Sequence, residues 1–417
     1  MSNNSQVPNP AHIQADTMLA RRFGKETVNY FSSSPLNRLS FLRSDHPFLS
    51  AAIKHPSTRF VVLKDLAPLT RSPAALYFAK LDEVRKLVPE TVYDKSEEEI
   101  IKDHDSRKTE PHLIFLGVDE TAPKEDGFNW KIYSGTPYFA LDVSEKGNEE
   151  QQANAKEVLA GFESKELSFL QARVAMTFSA DEAAIYAQAR ALTDWNIRNI
   201  YCGTCGHRTI SVNSGTKRSC PPTDAALAAQ GKPTEKPACS TRTTLSNLSF
   251  PRTDPTIIVA VISSDAKRIL LGRSKRFPPH WYSTLAGFIE PAESVEDAVR
   301  REVWEEAGVT LSRVLIHSTQ PWPYPANLMI GAIAQVSDPA HEVISLQHDP
   351  ELEDAKWFEI SEVEEALRVG TSNLDQAAGP GYKEGGLRLP PATAIANQLI
   401  QAAIKIDFLA EQNSSRM

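Results

Sequence analysis

Cysteine and methionine are scarce: four and five residues in a chain of 417. Four cysteines cannot staple a chain of this length, and in a large chain of intracellular character they point to metal before disulfides. Long apolar runs are missing as well. None approaches the roughly 18 residues that a membrane helix needs. The opening stretch, MSNNSQVPNPAHIQAD, is polar and has no apolar h-region, so no secretory signal is read there. Positive charge is not in excess. Lys and Arg number 45 against 53 Asp and Glu, for a net charge of −8, and the pI is about 5.8. That argues against a general basic surface for nucleic acid and leaves room only for a local basic groove. What is there is ordinary for a globular protein: 41% hydrophobic and 24% charged residues, with length for two to three domains.

The first half mixes strands and helices. PSTRFVVLKD (56–65), PHLIFLGVDE (111–120) and TPYFALDVS (136–144) read as strands between turn residues. EVRKLVPETV and ADEAAIYAQARALTDWN (180–196) read as helices. All four cysteines fall between 202 and 239. Cys202-Gly-Thr-Cys205-Gly206 has the form of a zinc-knuckle turn, in which the glycine frees backbone N–H groups to face sulfur, and Cys220 and Cys239 would complete a Cys₄ structural zinc site. The whole segment 221–238 separates the last two, where a short knuckle is usual, and His207 could substitute for one sulfur. That segment is polar and rich in Pro and Ala, and is expected to be a loop insertion.

From about 255 the texture changes. TIIVAVIS and RILLGRS are buried-type strands joined by a turn near Asp265, and NLMIGAIAQV and DAKWFEI supply more strand. SEVEEALRVG reads as a helix with Ser361 as N-cap, and a final helix carries an apolar stripe through Ile395, Leu399, Ala403 and Ile406.

Between the second and third of these strands lies GFIEPAESVEDAVRREVWEEAG, Gly287 to Gly308, with six glutamates and an aspartate. Ser294 is suited to N-cap a helix over 295–307, with Asp297 three residues on as a variant capping box, and Gly308 to end it at C′. At about 100° per residue from Val295, Val299 falls at about 40° and Val303 at about 80°, the core side. Glu306 falls at about 20° and Glu302 at about 340°, inside that apolar arc, and Glu305 at about 280°, at its border. Carboxylates so placed repel one another and cost several kcal/mol each to desolvate unless a cation compensates. All-oxygen ligation favours Mg²⁺ or Mn²⁺ over Zn²⁺, and Arg301 can hold one carboxylate from the side.

These residues carry a resemblance. Gly287, Glu293 and the run Arg301-Glu302-Val303-Trp304-Glu305-Glu306-Ala307-Gly308-Val309, at these spacings, match the Nudix box at every defined position. The resemblance implies an α/β/α sandwich that hydrolyses a nucleoside diphosphate linked to another moiety. It implies Glu302 and Glu306 as metal ligands, Glu305 as ligand or base, the Ala286 carbonyl as a further ligand and Glu293 as a support. Bound metals would neutralise the diphosphate and acidify a water for in-line attack on phosphorus, while a glutamate takes its proton. Which glutamate acts as base stays open.

Thr319–Met329, TQPWPYPANLM, alternates proline with Trp322 and Tyr324, a stiff segment suited to stacking on a planar ring. It resembles the SQPWPFPxS signature of the NADH diphosphatase (NudC-like) branch: Gln320, Pro321, Trp322, Pro323 and Pro325 match, while Thr319, Tyr324 and Asn327 depart from it. This branch carries a zinc ribbon just before the Nudix domain. The resemblance also implies substrate contacts at Phe250 (in place of a Tyr that reaches substrate across a dimer interface), Phe288, Ala326 and Ala396, and a metal-binding Glu351. It covers roughly residues 30–405. The expected architecture is α+β: a flexible 1–25, a mixed α/β N-terminal domain over 26–196, a zinc ribbon over 197–252 with the 221–238 insertion, a Nudix sandwich over 253–410 and a tail over 411–417. The expected activity is metal-dependent cleavage of NADH, or NAD⁺, to NMNH, or NMN, and AMP, as a homodimer, with removal of NAD caps from RNA as a further outlet. A broader dinucleotide or ADP-ribose diphosphatase, and a zinc-ribbon binding protein with an inactive Nudix domain, are the alternatives. Ser415-Arg416-Met417 resembles a peroxisomal import address, which would engage the import receptor; the alternative location is the cytoplasm.

Overall fold

In a computed structural model of the chain, residues 27–89, 91–108, 112–121, 127–170, 176–243, 247–349 and 351–405 are described. The expected flexible 1–25 and the tail 411–417 lie outside them. The described residues divide into two compact units. One holds those from Ser33 to Arg252 with Pro323–Pro325; the other holds 27–32, Thr253–Trp322 and those from Ala326 onward. Among the described residues no helix is long and apolar enough to cross a membrane.

The first unit is built on a sheet whose main path runs Leu36–Asn37, Leu113–Asp119, Tyr133–Asp142, Arg59–Lys64, Ala67–Ser72, Ala75–Leu76. Arg59–Lys64 and Tyr133–Asp142 pair in parallel. Their FVVL and FALD runs are buried on both faces, which is why they read as continuous apolar strands. Phe48, Phe60, Phe115 and Phe139 fill the core, with Phe162 from the helix Glu149–Glu163. The expected helix over EVRKLVPETV is shorter than its pattern: only Leu81–Val84 is helical. Pro89 has no N–H to give and would clash with the carbonyl four residues back, so the helix stops ahead of it. The helix Ala180–Arg198, capped by Ser179, leads into a three-stranded antiparallel ribbon of Ile210–Val212, Lys217–Ser219 and Leu248–Ser249.

The 221–238 insertion is not a bare loop. Thr223 bridges to Glu235, and Asp224 caps a short helix, Ala225–Ala228. Asp224 Oδ1 accepts the Ser106 N–H at 2.9 Å, the Ala225 N–H donates to His104 O at 2.8 Å, and Thr223 Oγ1 donates to Lys102 O at 2.9 Å.

The second unit contains β1 (Asp254–Ile262), β2 (Arg268–Ser274), β3 (Leu285–Phe288), α1 (Val295–Ala307), β4 (Arg313–Trp322), β5 (Asn327–Gln335), β6 (Leu352–Glu359), α2 (Ile360–Val369) and α3 (Ile395–Ile404). The sheet order is β4-β5-β1-β2-β6, with β3 on β1. Central β1 alternates strictly. Ile257, Val259 and Val261 pack with α1, while Ile258, Ala260 and Ile262 pack with α2 and α3. Period-two alternation between two apolar faces makes a three-layer α/β/α sandwich. The α2 N-cap is Glu359, with no side-chain cap bond, rather than Ser361. Pro321 and Trp322, from the stiff proline-alternating segment, close β4. That strand is the sheet edge, where a missing N–H leaves no ladder bond unmade.

α1 spans the expected residues. Ser294 Oγ accepts the Asp297 N–H, and Gly308 ends the helix in the left-handed region at φ 72°. A Cβ on Gly308 would also lie 2.8 Å from Ser345 Cβ. Gly308→Ala is therefore expected to destabilise this unit by about 1–2 kcal/mol, read as a lower urea midpoint; an unchanged midpoint would contradict the steric account.

Candidate active site and zinc ribbon

The acidic face of α1 is organised by one guanidinium. Arg301 Nε and Nη2 grip the two oxygens of Glu293 at 2.7 and 2.9 Å. Its Nη1 donates to Glu302 Oε1 and to Glu305 Oε2, both at 2.9 Å, and Nη2 also donates to Phe288 O at 2.8 Å. The sequence suggests that Arg301 holds one carboxylate; it holds three, and it ties α1 to the loop before it. The Glu293 pair leads in raising the arginine's pKa, and the same bond lowers that of Glu293.

Glu302 lies flat against β3. A Cβ on Gly287 would fall 1.9 Å from Glu302 Cδ, so only glycine lets the carboxylate occupy this cradle. Burial raises the Glu302 pKa, with Arg301 opposing. Glu306 is deeper, 7% exposed, and its Oε2 is buried without a hydrogen-bond partner. Burial first, then the charges of Glu302 and Glu351, push its carboxyl up to about 8, while the Ala286 backbone hydrogen-bonds to it. Glu305 is more open, as the helical angle implies. Glu351 is exposed and close enough to Glu306 to act on its charge. Among the described residues, the carboxylate oxygens are not drawn to coordination distance; only the four cysteines are.

In the ribbon, the sulfurs of Cys202, Cys205, Cys220 and Cys239 all lie within 4.8 Å of one another. The Cys202–Cys239 and Cys205–Cys220 separations are 3.9 and 3.6 Å. Tetrahedral zinc with bonds of about 2.3 Å sets its sulfurs about 3.8 Å apart. Gly206 takes φ 70° and its N–H donates to Cys202 O at 2.9 Å, closing the knuckle. His207 is outside the set, its Nδ1 3.0 Å from Cys205 O. Arg242 Nη1, which no sequence pattern flags, lies 3.4 Å from Cys220 Sγ, a cation beside the sulfurs.

The residues expected on substrate divide into open and closed groups. Phe288 is 57% exposed. Phe250, in the other unit, is 59% exposed with Lys217 Nζ 5.1 Å from its ring centroid. Pro321, Trp322 and Ala326 are part-exposed, Pro325 is exposed and Pro323 is buried. Tyr324 lies under the Arg190 guanidinium at 4.8 Å. Asn327 Nδ2 donates to Thr256 Oγ1 at 2.9 Å. Besides Pro323, two expected contacts are closed. Gln320 is 1% exposed and spends its amide on the protein: Nε2 donates to Tyr30 O and Thr393 O, and Oε1 accepts the Ile395 N–H. Ala396, on α3, is buried in the core. Both are framework here because the start of α3 docks on the edge strand through Gln320.

Sequence patterns miss the arm at residues 27–32, which belongs with this unit rather than with the N-terminal domain. Asn29 Nδ2 donates to Ser318 Oγ at 3.0 Å and to Thr319 O at 2.9 Å, and Phe31 meets Trp322 edge-to-face at 5.9 Å. No local pattern announces a partner 289 residues away.

Residues 253–376 match the NUDIX domain family, 57–195 the NADH pyrophosphatase-like rudimentary NUDIX domain, and 198–227 the NADH pyrophosphatase zinc ribbon domain. A Schizosaccharomyces pombe protein named NAD-capped RNA hydrolase is 33% identical over 397 residues, 94% of this chain and 98% of its own. The chain belongs to the Nudix hydrolases, in their NADH pyrophosphatase-like branch. Human NAD-capped RNA hydrolase NUDT12 is 34% identical over 92% of this chain and 75% of its own. Mouse mitochondrial NAD(P)H pyrophosphatase NUDT13 is 32% identical over 63% and 67%.

Membership implies divalent-metal dependence, and the ribbon implies structural zinc. The residues fit both groups. An orphaned buried carboxylate oxygen beside a second buried carboxylate suits a hard cation, and the sulfur spacing suits zinc. The ribbon match ends at 227, short of Cys239, whose sulfur nevertheless joins the cluster. Purified protein is expected to hold about one zinc per chain, and Cys239→Ser to hold less than half of that by elemental analysis. Full zinc retention in Cys239→Ser would shift the fourth ligand elsewhere.

Proposed function

We propose that the chain hydrolyses the diphosphate of NADH, and of NAD⁺, releasing NMNH or NMN and AMP, and removes NAD caps from RNA. The observation that carries this reading is the pair Glu302 and Glu306, set on the buried arc of α1, Glu302 in the Gly287 cradle and Glu306 with an oxygen that no protein group satisfies. Such a pair has no structural use that two apolar residues would not serve better. The names of full-length relatives supply the substrate class, and TQPWPYP in its edge-strand hairpin is consistent with it.

Glu302, Glu305 and Glu306, with Glu351 and the Ala286 carbonyl, would hold the metal, which we read as Mg²⁺ or Mn²⁺ from the all-oxygen donor set. When bound, it supplies charge neutralisation at the diphosphate and a more acidic water. The protein's own part is positional. Arg301 holds the rotamers of Glu302 and Glu305 through its anchor on Glu293. Glu305, the most open of the three, is best placed to take a proton from the attacking water. The exposed Phe288 ring and the part-exposed Trp322 ring offer stacking faces. The Cys₄ ribbon is a structural zinc site, and the assembly is a homodimer, in which exposed Phe250 reaches substrate. Ser415-Arg416-Met417, outside the described residues, is an import address for the peroxisome.

Glu306→Gln is expected to lower kcat on NADH by about 10²–10⁴-fold with little change in the melting temperature. Wild-type turnover in that variant would refute the carboxylate mechanism. Turnover of NADH, NAD⁺ and ADP-ribose is expected to rank the nicotinamide dinucleotides first. Equal rates on all three would instead establish a broader dinucleotide diphosphatase.

A further inference from the structure

The net charge of −8 leaves room only for a local basic surface, and one is built into the first unit. The segment Arg38-Leu39-Ser40-Phe41-Leu42-Arg43 forms a 3₁₀ turn over Ser40–Leu42, entered through Leu39 in the left-handed region. Leu39 and Leu42, three apart, are buried in the core. That spacing leaves Arg38 and Phe41, also three apart, in solvent. Phe41 is 64% exposed, which is unusual for a ring whose neighbouring leucines are buried. It lies 5.8 Å from the ring of Tyr133, the residue that follows the tip of a hairpin, Lys131 and Ile132, both exposed.

Among the described residues, neither Arg38 nor Arg43 has a carboxylate or hydrogen-bond partner, and Arg43 Nε is shut from water with nothing to donate to. Two described acids bond to other groups. Asp45 accepts the Phe48 N–H at the start of a helix, and Glu120 is buried and accepts from Asn37. Burial, then the charge of Arg38, lowers the pKa of the Arg43 guanidinium to about 10. Two guanidiniums kept close with no acid on them among the described residues are unfavourable alone and are relieved by an anion with several acceptor oxygens.

Cations interleaved with an open aromatic ring are the pattern that grips a single-stranded nucleic acid: phosphates on the cations, a base on the ring. We propose that Arg38, Arg43 and Lys131 with Phe41 and Tyr133 form a platform for a single-stranded phosphodiester chain. This deepens the reading above and rests on it, because an NAD-capped RNA carries such a strand beyond its AMP moiety.

The test is fluorescence anisotropy of full-length protein with a labelled, uncapped single-stranded RNA of about twelve nucleotides, beside NADH hydrolysis as a control for folding. Arg38→Ala and Phe41→Ala are each expected to weaken RNA binding about fivefold or more and to leave NADH turnover unchanged. Arg38→Ala should also make the slope of log K against log salt shallower by about 0.7. Arg43→Lys, which keeps charge and bulk, should keep the slope. Unchanged RNA affinity in both alanine variants would overturn the platform. So would displacement of the RNA by AMP or inorganic phosphate at equal phosphate concentration, which would indicate a pocket for one phosphate only. If RNA binds through these residues but caps are not removed, the platform stands and the cap reading falls. If both alanine variants remove caps at the wild-type rate below saturation, the cap reading stands and the platform falls.

Discussion

One ion-pair hub underlies the site. Carboxylates on the buried side of a helix would drive it off its sheet unless something held them, and in the protein alone that something is Arg301. Its five N–H donors form a planar fork, and three glutamates and the Phe288 carbonyl share them. The hub does three jobs with one side chain. It offsets repulsion, fixes the rotamers of Glu302 and Glu305, and joins the loop after β3 to α1. Glu306 lies beyond its reach, and it is Glu306 that keeps a bare buried oxygen. The acid with a buried oxygen left unsatisfied marks where an external cation adds most.

The cradle at Gly287 is the geometric counterpart. The strand pairing of β3 with β1 sets Gly287 opposite Ile257, and the apolar stripe of α1 presses the helix onto that strand. Packing that tight leaves no room for a side chain where Glu302 lies. The core and the site are therefore the same contact: Val299 and Val303 bury the helix face that brings the carboxylates in.

Much of this was legible in the sequence because it is local. The caps at Ser294 and Gly308, the angular placement of Glu302 and Glu306 and the buried strand β1 follow from spacing and local composition alone. Legibility failed where partners are distant in sequence or one element overrides another's pattern. Gln320 looks like a loop residue facing a ligand, yet Tyr30, Thr393 and Ile395 consume its amide. The packing of Asn29 and Phe31 on β4 leaves no periodic signal. EVRKLVPETV has helical periodicity, but Pro89 outweighs it. The triple grip of Arg301 could not be read either, because angle gives direction and not reach.

The ribbon carries a consequence for how this chain can vary. Cys220 and Cys239 meet at one metal-sized cluster although the segment between them is long. Closing a flexible loop costs entropy that grows only with the logarithm of its length, about 0.6 kcal/mol per doubling. A sulfur clamp thus makes the intervening segment nearly neutral to lengthening. The segment is held nonetheless, by bonds to Lys102, His104 and Ser106.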